Sequence, residues 1–247
     1  MRLPGPLVRL MAGVAGLLTG CAPIDYDQVS DRGRFAGGLF VMWIGESPGP
    51  LGDGRFVFVP NPDDRLRFTR VDAAGQEIGP TFMPEMMYTD GGSIPRIASA
   101  FRGLQPWGYA PAYMVHDWLF IARNCVTDGT ANAEQRKVAQ LSFRDSALII
   151  AEAIKALQAS GRVRPDDVSP FVISTAVTGP ISRRAWDRRG ACAGHTVSEE
   201  DRAAAEAAFP PTVRSAARPR LQGLTRTLPS GETAPLRPAT LVGQVGF

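Results

Sequence analysis

The chain has 247 residues, 44% of them apolar and 21% charged, with 27 basic and 24 acidic side chains. Arg2 and Arg9 lie in the leader discussed below, which leaves 25 basic against 24 acidic residues and a net charge near +1. So even a balance gives no evidence of nucleic-acid binding, and none is expected. Only Lys137 and Lys155 are lysines, so the basic count reflects arginine usage in a chain also rich in Ala, Gly and Pro.

In chain order, the first element is a leader. Arg2 and Arg9, with no acid among them, precede an apolar run that ends at Leu18-Thr19-Gly20-Cys21. The run has about ten residues, and a bilayer span needs about 20. It has the layout of a secretory signal over residues 1–20. Leu18-Thr19-Gly20-Cys21 resembles the lipobox, in which the cysteine thiol receives lipid (palmitate among the acyl chains) and the signal is cut just before it. The expectation is lipidation of Cys21 and a protein tethered to a membrane, on the periplasmic side of the outer membrane. Two or more acyl chains make such attachment durable. No later stretch is apolar enough to span, because Ala147–Leu157 is interrupted by Glu152 and Lys155.

Residues 21–35 are polar and read as a flexible tether. From 36 to 95, short apolar runs such as Gly38–Ile44, Arg55–Val59 and Leu66–Val71 lie between Gly and Pro and predict about four short strands. The period then becomes helical. Ala110–Arg123 carries Pro111 in its first turn, where a missing N–H costs nothing. Ala131–Ser160 repeats apolar residues at three and four through Phe143, Ala147, Ile150, Ile154 and Leu157. A third helix is expected over 169–177, followed by a turn that docks Trp186. Ser198 begins a short helix to about 209. Beyond Pro210 large apolar residues lose their spacing, and the tail is expected to be disordered. The sum is an α+β fold: a small antiparallel β-sheet packed on a three-helix unit over 36–195, with a short helix and disordered tail over 196–247.

Cys125 and Cys192 are the other two cysteines. An even pair in an oxidising compartment favours a disulfide over two free thiols.

Two segments carry candidate chemistry. Tyr88-Thr89-Asp90-Gly91-Gly92-Ser93-Ile94-Pro95-Arg96 is turn-rich, with a carboxylate and a hydroxyl. Ala112-Tyr113-Met114-Val115-His116-Asp117-Trp118-Leu119-Phe120 places an imidazole and a carboxylate on an apolar helix, where burial is costly unless they are paired. Asp145, on the long helix, is the expected partner of His116. Together the two segments resemble the bacterial and phage family catalogued as domain of unknown function 1353, over residues 36–190. Members carry Thr-Asp-x-x-Ser-x-Pro, then His-Asp-x-Leu-Tyr, then an aspartate on the next helix. Phe120 stands here where the family has tyrosine, and the family name conveys no activity.

The adjacent His-Asp also resembles the site of secreted calcium-dependent phospholipases. By that likeness His116 would be the general base, Asp145 its orienting partner, and Asp117 with Asp90 ligands to calcium. The expected activity is then hydrolysis of a lipid or another envelope ester. A serine hydrolase using Ser93, His116 and Asp145 is the alternative catalytic set, although Ser93 lacks the Gly-x-Ser-x-Gly elbow. A dinuclear phosphohydrolase is excluded, because His116 and His195 are the only histidines. Against all of these stands a non-catalytic envelope or prophage-derived protein in which His116 and Asp117 belong to a buried polar network.

Overall fold

A computed structural model describes residues 32–45, 55–89, 106–164, 177–216, 218–228 and 230–247, together with Ile24, Tyr26 and Val29. The signal, Cys21, Asp90, Ser93 and most of the expected third helix lie outside these residues.

The fold is α+β, with helices set against small antiparallel sheets. Strands β1 (Arg32–Ala36) and β4 (Arg67–Val71) form an antiparallel pair with Phe35 opposite Phe68. The main sheet contains β2 (Gly38–Gly45), β3 (Arg55–Pro60), β5 (Met87–Thr89) and β8 (Thr240–Gly246) in the order β5-β3-β2-β8. A two-stranded hairpin, β6 (Thr225–Thr227) and β7 (Thr233–Pro235), stands apart. Gly37 links β1 to β2 at φ +73°, with the Arg65 carbonyl oxygen 2.1 Å from where a Cβ would stand. Only glycine meets both conditions.

β2 is apolar on both sides because it is covered on both sides. Leu39 and Val41 face a core shared with α1 (Ala110–Thr127) and α2 (Phe143–Ala159). Phe40, Met42 and Ile44 face a second core with Val57, Val59, Val197, Ala205 and Phe209, the last three in or beside α4 (Glu199–Ala207). Alternate residues of a strand point to opposite faces, so one strand serves two cores.

α1 has Pro111 in its first turn and buries residues all round its circumference. α2 begins later than the apolar period suggests. Asn132 and Gln135 bond each other's backbone N–H, closing a separate short turn before a 3-10 segment at Gln135–Val138. Ser142 then opens α2 with a capping box, its hydroxyl accepting from Asp145 N–H and the Asp145 carboxylate accepting from Ser142 N–H. Where a turn was expected near 183–186, α3 (Pro180–Trp186) forms, and Trp186 docks at 2% exposure. Ser198 caps α4, as its sequence suggests.

Two expectations need correction. Residues 21–35 are not simply a free tether: β1 starts at Arg32, and Ile24 and Val29 are buried against Ala147 and Ala151 of α2. The tail beyond Pro210 is not disordered. β8 pairs along β2 from Gly38–Gly246 to Trp43–Thr240, and the Asp63 carboxylate receives the N–H groups of Arg214 and Ser215. Val213 and Leu236 are buried. An edge strand is held by main-chain ladder bonds, which leave no apolar period to detect.

Candidate functional site around His116

α1 places His116 in a buried position, 7% exposed, with Phe120 one turn on and ring centroids 4.8 Å apart. Phe120 meets Trp186 at 5.2 Å, and Trp186 meets Phe143 at 6.3 Å. The imidazole therefore sits at the end of an aromatic stack joining α1, α2 and α3.

Its polar contacts are few. His116 Nδ1 is 3.6 Å from Asp117 Oδ1, beyond hydrogen-bonding distance. Nε2 is buried and has no hydrogen-bond partner among the described residues. Asp145 does not orient the ring. Its carboxylate Oδ2 accepts from Ser142 N–H and O–H, both at 2.7 Å, so it belongs to the α2 cap. The reason is local: at the third position of a helix opened by serine, a carboxylate finds the free cap N–H before it can reach a neighbouring helix. The expected His116–Asp145 pair is thus not formed. Nor do His116 and Asp117 make a satisfied polar network with one another.

Asp117 is partly exposed, and Asp90 and Ser93 lie outside the described residues. No group of three His, Cys, Asp or Glu side chains suited to a metal occurs among the described residues. The expected calcium set therefore has one described member, Asp117.

Below this stack, the last turn of α1 grips the segment after α3. Cys125 is bonded to Cys192 across 67 residues. Asn124 donates to the carbonyls of Ala185 and Trp186, and its Oδ1 lies 3.1 Å from His195 Nε2. Asp128 accepts from Gly190 N–H at 2.7 Å and Cys192 N–H at 3.0 Å. These N–H groups, Cys192's first, hold the Asp128 carboxyl below the usual carboxylate range. Burial, and then Arg188, lower the pKa of His195 against an opposing pull from Asp128. His195 is accordingly part of this clasp and not a plain surface residue.

A cleft of about 630 Å³ beside the clasp is lined by Asp128, Thr130, Asn132, Gln135, Cys192 and Thr196 among others. Its wall is largely spent on itself. Asn132 and Gln135 bond one another's backbone and donate to Glu85, and both Asp128 oxygens hold backbone N–H groups. His116 and Asp117 do not line it.

Two buried ionic centres escape a motif reading. Arg70 grips Glu152 by two bonds of 2.7 and 2.8 Å. Asp201, 4% exposed, accepts from Arg55, Tyr88 and Arg226, tying α4 to β3, β5 and β6. Glu152 did leave a signal: a carboxylate inside the most apolar stretch requires a cation. Nothing in the sequence says that Arg70 supplies it.

No family model, no curated protein and no solved structure matches this chain.

Proposed function

We propose that the chain is an exported lipoprotein of the bacterial cell envelope, held to the periplasmic side of the outer membrane by acyl chains on Cys21. In this reading its His116-Asp117 motif serves the packing of α1 and not hydrolysis. The supporting observation is the cysteine arithmetic: the Cys125–Cys192 bond uses two of three cysteines and leaves only Cys21, the residue that ends the lipobox. A bridge of this kind belongs to an oxidising compartment, and the lipobox gives the route there. The likeness to the domain-1353 family is compatible with this role and adds no chemistry.

Cys21→Ser tests the anchor. The variant is expected either in the soluble fraction or in the membrane with its signal uncut. A processed Cys21→Ser protein that still requires detergent would defeat the proposal.

A second reading, a hydrolase acting on a lipid or other envelope ester, is favoured by one observation. His116 Nε2, one of the two ring nitrogens that a general base could use, is buried and has no partner among the described residues. Esterase and phospholipase assays on the wild type and on His116→Asn separate the two. Turnover that disappears in a folded His116→Asn protein would favour the hydrolase, and absence of turnover in the wild type favours the packing role.

A further inference from the structure

We propose that a cavity on the α4 side of the main sheet binds a free α-amino acid with an apolar side chain, its carboxylate on Arg65 and its ammonium on Glu85. The proposal rests on neither Cys21 nor His116, and it concerns a part of the molecule to which the reading above gives no function.

The cavity has a volume of about 380 Å³, within the range of small-molecule sites. Its floor is apolar: Val59 near the end of β3, Met86 just before β5 and Phe209 just after α4 all pack in the second core. Phe209 meets Phe40 edge-on at 5.5 Å, which fixes its ring. One wall is the C-terminal chain. Ser215 and Ala216 line it, and the Asp63 carboxylate holds it in place through the N–H groups of Arg214 and Ser215, at 2.8 and 2.7 Å. Arg218 donates to the carbonyls of Pro210 and Val213 and ties the same turn to itself. The wall is therefore a fixed part of the fold.

Among the described residues the rim carries four charged side chains. Arg202 and Glu206, one turn apart on α4, lie 3.9 Å from each other and offset one another. Arg65 and Glu85 have no such partner. Arg65 is half-buried, and its guanidinium donates to the Pro84 carbonyl at 3.3 Å but forms no ion pair among the described residues. Glu85 is half-buried too. Its oxygens accept from the Asn132 amide at 3.1 Å and from the Gln135 amide at 3.4 Å, and from no cation among the described residues. A cation and an anion thus line one cavity without closing on each other.

The cause is local, since the Asn132 and Gln135 amides hold Glu85 while the carbonyl before it holds Arg65. Half-burial makes an unpaired charge costly, so each of the two favours an opposite charge brought to it. A ligand with a single charge would satisfy one of them and be repelled by the other. A zwitterion satisfies both, and its side chain then meets the apolar floor. An α-amino acid has this layout, with carboxylate and ammonium on one carbon and the side chain beside them.

The test uses the full chain, purified in a non-ionic detergent and labelled with carbon-13 at its methionine methyl groups. The Met86 signal, identified by its loss in Met86→Leu, reports on the floor. L-Phenylalanine should shift that signal saturably. Phenylalanine amide, which lacks the carboxylate, and N-acetylphenylalanine, which lacks the ammonium, should each bind about tenfold more weakly, the worth of one charged hydrogen bond. Arg65→Gln, checked for an unchanged melting temperature, should bring phenylalanine down to the affinity of the amide and leave the amide where it was. A Met86 signal that phenylalanine does not move overturns the site. Equal binding of the three compounds overturns the roles of Arg65 and Glu85. Should Arg65→Gln fail to fold, the three compounds on the unmodified chain decide alone.

Discussion

Asp145 and His116 show how one residue's local options decide its role. Asp145 lies three residues after Ser142, and that spacing makes it a cap before it can be a catalytic partner. The expectation of a cross-helix pair weighed the cost of burying His116 and Asp145, but Asp145 is only partly buried and its carboxylate already accepts from the Ser142 N–H. Asp145→Ala should therefore cost about 1 kcal/mol through loss of the cap. His116→Leu should leave the urea midpoint unchanged or raise it, because Nε2 is buried without a partner among the described residues and such a nitrogen costs on the order of 1–3 kcal/mol. Unfolding of the two variants beside the wild type decides this, and a fall for His116→Leu as large as that for Asp145→Ala would show that the ring has a partner.

At the scale of elements, helices that advertise themselves by period were legible and their neighbours were not. α1 and α4 begin where Pro111 and Ser198 place them, because a missing N–H or a capping hydroxyl acts within one turn. α2 starts at Phe143 instead of Ala131 because the Asn132–Gln135 exchange closes its own short turn first. The clasp on the last turn of α1 joins residues more than sixty positions apart, and its strongest link is the Cys125–Cys192 bond. Replacing both cysteines by alanine should cost about 4 kcal/mol, the loop-entropy value for a closed loop of this length. The same change should loosen Trp186, whose carbonyl the neighbouring Asn124 holds. Chemical unfolding followed by tryptophan fluorescence measures both. An unchanged midpoint would mean that Asn124 and Asp128 hold the segment unaided.

At the scale of the molecule the C-terminal chain matters most. β8 closes the edge of the main sheet, the Phe247 N–H bonds the Gly37 carbonyl, and Phe247 stacks on Phe35 at 4.8 Å. Removing residues 238–247 strips the ladder from β2 and bares its edge, an invitation to aggregate. A loss of a few kcal/mol corresponds to a fall in Tm of roughly 5–10 °C in a chain of this size. Scanning calorimetry of the truncated protein checks it, and an unchanged Tm would return the tail to the role of an appendage.

The sequence by itself determined the matters that rest on neighbours along the chain. These are the α+β class, the short strands between glycines and prolines, the helical period of α1 and α2, and the capping signals. It also favoured Cys125 and Cys192 as a pair over two free thiols, because with Cys21 expected to carry lipid they are the two cysteines left, and the structure joins them. The tertiary structure alone decided what depends on distant partners: β8 beside β2, Arg70 on Glu152, Asp201 among its three donors, and Asp145 turned to its own cap instead of His116. Periodicity reports which face of an element is apolar, because apolar burial is non-directional. It does not report which main-chain edge or which opposite charge will meet that element, because those contacts are directional and are made only when the chain has closed on itself.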